Sequence, residues 1–137
     1  MNPGNEALAR EVLKTMDAQG DIFALMTDDI ELFYPKWGVA KGKAELGKFF
    51  QDMGGYVRSI SHNPSSFKCT SDADSVLIEG RSTGTLVDGS AWSADGATGG
   101  RFCTSFQIKD GLICSMHVYI DPDYADQTST VYPWHKP

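Results

Sequence analysis

With 137 residues, 41% hydrophobic and 22% charged, the chain has the composition of an ordinary soluble globular protein and room for one domain, residues 1–137. Folding at that length buries roughly two-thirds of the unfolded surface. A net charge of −6 with no Lys/Arg run argues against nucleic acid and anionic membrane surfaces as partners.

No apolar stretch approaches the roughly 20 residues needed to span a bilayer, and Met1-Asn2-Pro3-Gly4 lacks signal-peptide character. Cys69, Cys103 and Cys114 show neither CxxC nor Cys/His metal spacing. They read as reduced thiols of a cytoplasmic protein, and no metal or organic cofactor is expected.

Helix signals come first. Leu8, Val12, Leu13 and Met16 fall on one face between Asn5 and Ala18, which predicts an amphipathic helix closing near Gly20. Asp21 can cap a short second helix through Ile22, Phe23, Leu25 and Met26. A strand from Ile30 to Tyr34 ends at Pro35. Leu46, Phe49, Phe50 and Met53 then give the i, i+3, i+4, i+7 pattern of a third helix, Gly42 to Met53, stopped by Gly54-Gly55.

Everything after Gly55 reads as β. Strands are expected at Tyr56 to His62, Ser66 to Thr70, Ser75 to Val87, Ser90 to Ala94, Arg101 to Lys109 and Leu112 to Ile120. Asp88-Gly89 and Asp110-Gly111 are hairpin signals. The Gly-rich stretch Asp95 to Gly100 has no following helix and is not a phosphate-binding loop. The tail from Asp121 onward reads as irregular. The fold class is therefore α+β, with three N-terminal helices packed on one face of a curved antiparallel sheet around an apolar pocket. Three short helices leave the other face for solvent or a second subunit.

The turn at Asp110-Gly111 decides where the His117, Tyr119 and Asp121 cluster points. A two-residue turn pairs Lys109 with Leu112, whereas a three-residue loop pairs Ile108 with Leu112. One step of register flips the strand. The three-residue version places Phe102, Thr104, Phe106, Ile108, Leu112, Cys114, Met116, Val118 and Ile120 on one apolar face. His117, Tyr119 and Asp121 then fall on the outer face, and this segregation decides for it.

The order of elements resembles the SnoaL-like group of the nuclear-transport-factor-2-like superfamily. The stretch from Thr27 through Tyr34-Pro35-Lys36-Trp37-Gly38 is similar to its first strand, and Gly42-Lys43-Ala44-Glu45 to the start of its third helix. Arg101 to Phe106, Lys109 to Ile113, and His117 to Pro122 resemble its closing hairpin and exit. The resemblance implies a cone-shaped α+β barrel with a pocket between helices and sheet, and a homodimer through the outer sheet face. It covers nearly the whole chain, but the fold hosts many reactions.

Carried over by position, the ketosteroid isomerase base would fall at Tyr34, its tyrosine near Leu13 and its second carboxyl at Thr104, so that mechanism is not expected. The last-strand carboxylate of SnoaL-type cyclases would fall at Val118, or at Asp121 in another register. Scytalone dehydratase fits better: the resemblance places its pocket tyrosine at Tyr34, a pocket histidine at His62 and a helix-one aspartate at Asp17.

The catalytic candidates are thus His62 as general base, Tyr34 as hydrogen-bond donor, and Asp121, His117 and Arg81 as further polar groups. Trp37, Phe50, Met53, Tyr56, Phe102, Thr104, Met116, Val118 and Ile120 are the expected substrate-binding wall. The expected activity is a lyase, isomerase or cyclase moving a proton on a small apolar cyclic carbonyl or hydroxyl compound. The alternatives are a binding module for such a compound and an interaction protein using the outer sheet face.

Overall fold

The computed structural model describes residues 3–95 and 100–132. The chain opens with helix α1, Pro3–Asp17. Its inner face is Ala9, Val12 and Leu13, each at most 1% exposed. The helix closes near Gly20 as expected, but the left-handed residue is Gln19 (φ 56°), and the Gly20 amide donates back to the Thr15 carbonyl at 2.8 Å.

Among the described residues two α-helices are present, not three. The second expected helix is a single 3-10 turn, Ile22–Leu25, capped as expected by the Asp21 carboxylate, which accepts from the Phe23 amide. Four residues do not offset the cost of an α-helical nucleus, and the chain passes directly into strand β1, Met26–Tyr34. The next helix, α2, runs from Gly42 to Gly54. Glu45 reaches back to accept the Lys41 amide at 2.6 Å, satisfying an open donor at the helix start, and Leu46 is fully buried on the inner side.

Between β1 and α2 lies a strand that the sequence did not signal, β2, Gly38–Lys41. It folds back on β1 with Tyr34 opposite Gly38, through a turn in which Lys36 and Gly38 both have positive φ. The two strands expected after α2 are one, β3, Val57–Ser71, with its pairing broken between Asn63 and Lys68. Pro64 falls in that gap, where no ladder donor is required. The Ser66 hydroxyl accepts the Arg81 amide there at 2.9 Å, replacing a lost ladder bond.

Strands β4 (Ser75–Leu86), β5 (Ala91–Trp92), β6 (Arg101–Lys109) and β7 (Leu112–Ile120) complete the sheet. Its order is β2-β1-β7-β6-β4-β3, with β5 added to β4. The sheet is not wholly antiparallel, because β1 and β7 pair in parallel. Residues 96–99 of the Gly-rich stretch lie outside the described residues.

The β6–β7 hairpin settles the register in an unanticipated way. Asp110 and Gly111 both have positive φ (53° and 77°), and Lys109 pairs with Leu112, so the turn is the two-residue form. The extra residue sits further in, where the register shifts between Gln107 and Ile108. Asp-Gly accepts both left-handed conformations cheaply, so the mismatch with the apolar pattern is relieved by a bulge around Cys114. Beyond it Phe106 pairs with Met116 and Thr104 with Val118, two residues from the expected register, so these residues keep the expected face, but fully buried Ile113 takes the core place expected of Leu112 and Cys114.

Candidate active site

The inner sheet face and the two helices enclose a cavity of about 750 Å³, within the usual size range of small-molecule sites. Leu13, Met16, Phe49, Phe50 and Met53 form its helical wall, and Leu32, Met116, Val118 and Ile120 much of its floor. This lining is largely apolar, so each polar group within it stands out.

His62 is the first such group. Even-numbered residues of β4 near it, Gly80 and Ser82, face inward, and His62 is the cross-strand partner of Ser82. Asp17, the last residue of α1, meets it with both carboxylate oxygens. Oδ1 lies 2.6 Å from the ring Nδ1, and Oδ2 accepts the His62 amide at 2.7 Å. The side chains are only 9% and 19% exposed. Since the carboxylate accepts the Nδ1 proton, the neutral ring keeps its lone pair on Nε2. Phe102 meets the ring edge-on at 4.9 Å, so a carboxylate, a backbone amide and an aromatic fix its orientation.

Tyr34 closes β1 on the inner face, 9% exposed, with its ring against Phe49 at 5.5 Å. Thr104 lines the wall from β6. Gln19, Asp21, Gly54 and Arg58 also border the cavity, Arg58 donating to the Val87 carbonyl at 3.0 Å.

Of the expected wall, Phe50, Met53, Phe102, Thr104, Met116, Val118 and Ile120 line this cavity together with Tyr34 and His62. Trp37 and Tyr56 stand one layer away: Trp37 packs edge-on against Phe49 at 5.8 Å, and the Tyr56 hydroxyl donates to the Pro122 carbonyl at 2.9 Å.

The remaining three polar candidates lie elsewhere. His117 faces out from β7, its Nε2 2.9 Å from Glu31 Oε2 and its ring near Phe33. Asp121 accepts the Asp123 amide at 2.9 Å. Arg81 donates to the Ala94 carbonyl at 2.8 Å and borders a separate shallow depression with Lys68, Glu79 and Tyr119. Side-chain parity, which alternates along a strand, separates these groups from His62.

Among the lining residues that the expected wall omitted are two aromatics, Phe49 and Tyr124. Phe49 was visible in the helical spacing of α2 but was not assigned to the wall. Tyr124 lies in the segment read as irregular, yet it is 2% exposed and borders the cavity. Its burial depends on Trp92 and Tyr56, distant in sequence, so no local pattern announced it. Among the described residues, no three His, Cys, Asp or Glu side chains cluster as a metal site, and no helix is long and apolar enough to cross a membrane.

Similar folds are found among solved structures. A nuclear-transport-factor-2-like protein of unknown function from Burkholderia pseudomallei K96243 has a TM-score of 0.74 at 14% identity, covering 88% of this chain and 92% of that one. TerC, co-crystallised with polyporic acid, gives 0.72 at 16% identity over 86% and 92%. A candidate SnoaL-like polyketide cyclase from Jannaschia sp. CCS1 gives 0.69 at 14% over 88% and 90%. At these identities the likeness concerns the fold alone. No curated protein matches the sequence. The SnoaL-like domain model matches residues 6–116, most of the chain, and the protein belongs to the SnoaL-like domain family.

Proposed function

We propose that the protein catalyses proton transfer on a small, largely apolar cyclic compound bearing carbonyl or hydroxyl oxygens. The observation that carries this reading is the His62–Asp17 pair set in the wall of an apolar cavity. His62 Nε2 takes a proton from the carbon next to a carbonyl, and the electron pair moves onto the carbonyl oxygen. Tyr34 donates a hydrogen bond to that oxygen as its charge grows. Return of the proton to another carbon gives isomerisation, expulsion of a neighbouring hydroxyl as water gives dehydration, and attack on a second carbonyl gives cyclisation. Asp17 holds the Nδ1 proton and steadies the imidazolium that forms.

The test needs no knowledge of the natural substrate. In deuterated buffer the protein is expected to speed deuterium incorporation next to the carbonyl of 2-tetralone, read by proton NMR, and His62→Ala is expected to remove the acceleration. Equal exchange by the variant overturns His62 as the base.

A second reading, a module that binds such a compound without altering it, is favoured by Thr104 and Val118 in the cavity wall, where the resemblance expects carboxylates in catalytic relatives. Tight binding of the probe with no exchange above buffer would select it. We also propose pairing of two copies through the outer sheet face, which exposes Leu77 on β4 and Tyr119 on β7. A monomeric mass at micromolar concentration contradicts that.

A further inference from the structure

A polar group facing the cavity from outside the helices and the main sheet strands is Tyr124. Its ring stacks on Trp92 at 4.4 Å and meets Tyr56 at 6.3 Å. Trp92 is itself fixed, its indole nitrogen donating to the Ser82 hydroxyl at 3.2 Å. It lies over Gly84, where any Cβ would overlap the Trp92 ring and the Ser59 carbonyl oxygen. The segment around Tyr124 is pinned on both sides. Tyr56 holds the Pro122 carbonyl, and the Asp123 carboxylate accepts the Gln127 amide and the Thr128 amide and hydroxyl.

Tyr124 and His62 border the same cavity. Ser82, which holds Trp92, is the cross-strand neighbour of His62. Yet the Tyr124 hydroxyl has no hydrogen-bond partner among the described residues, while the residue is 2% exposed and lines the cavity. Burial pushes its pKa far above the usual tyrosine range, so it keeps its proton at any working pH and serves as a donor.

We infer that Tyr124 is a substrate-binding residue that donates a hydrogen bond to a carbonyl or hydroxyl oxygen of the ring compound held against His62. The inference rests on the reading of the cavity as a site for such compounds. It adds a recognition element supplied by the C-terminal segment.

The experiment compares 1-tetralone with tetralin, which lacks only the carbonyl oxygen, by NMR titration of the wild type, Tyr124→Phe and Tyr34→Phe. The Tyr124→Phe variant keeps the ring and its stacking. It is expected to bind 1-tetralone roughly tenfold more weakly, equivalent to about 1.4 kcal/mol. Its tetralin affinity and the Tm of its free form should match the wild type. Equal 1-tetralone affinity in Tyr124→Phe and wild type overturns the inference. So does a lowered Tm with equal loss for both probes, which would make the hydroxyl structural, and so does a carbonyl preference lost only in Tyr34→Phe. Failure of the wild type to bind either probe overturns the cavity reading and this inference together. Normal binding with His62-independent deuterium exchange overturns the mechanism alone.

Discussion

The two histidines placed in the fold make the same kind of contact on opposite faces of one sheet. His62 meets Asp17 through Nδ1 at 2.6 Å, and His117 meets Glu31 through Nε2 at 2.9 Å. The first pair is 9% and 19% exposed and the second 33% and 38%. Asp17 also grips the His62 backbone amide, whereas Glu31 and His117 lie on neighbouring strands with their side chains outward. An imidazole beside a carboxylate is therefore not by itself a site. The inner pair has a fixed ring, an Nε2 with no partner among the described residues, and a place in the wall of the cavity. The outer pair has its Nε2 occupied and solvent around it.

The contrast is broken most strongly at the ring. His62→Ala is expected to lower the rate of proton transfer on a cyclic ketone by about 10²- to 10⁴-fold, the usual contribution of a general base. His117→Ala should leave that rate unchanged, and single-turnover NMR of deuterium incorporation compares them. The carboxylates come next. Asp17→Asn keeps the shape but leaves one acceptor oxygen for two donors, the His62 amide and Nδ1–H, so the ring loses its tautomer preference and the rate should fall by up to about 10⁴-fold. Glu31→Gln should not alter it, and similar losses in both variants would erase the distinction. The smallest effect concerns stability. A half-exposed pair such as Glu31–His117 contributes at most about 1 kcal/mol, so either outer substitution should shift the urea midpoint only slightly, and less at high salt.

How much of this was legible follows from the range of each interaction. The four apolar residues of α2 repeat within one helix, and β6 alternates strictly, so local spacing revealed both. The parallel pairing of β1 with β7 joins segments some eighty residues apart and leaves no local trace. The short β2 buries little and shows no alternation. In the last hairpin the apolar pattern gave the right faces for Phe102 to Phe106 and Met116 to Ile120 but the wrong place for the extra residue. A three-residue turn and a bulge after a two-residue turn satisfy the same pattern there. The site was legible to a similar depth. His62 and Tyr34 carried recognisable chemistry on strands that pattern could place. Asp17 entered only through the family resemblance, and Tyr124 needed the packing of Trp92 and Tyr56.

The most direct measurement is the nitrogen-15 NMR spectrum of the assigned imidazoles in mildly alkaline solution, with and without 2-tetralone. The hydrogen bonds require opposite neutral tautomers, the proton on Nδ1 in His62 and on Nε2 in His117. The account predicts that the ketone shifts the His62 Nε2 resonance and leaves both His117 nitrogens in place. An Nε2–H tautomer at His62, or a ligand response at His117 with none at His62, would contradict it.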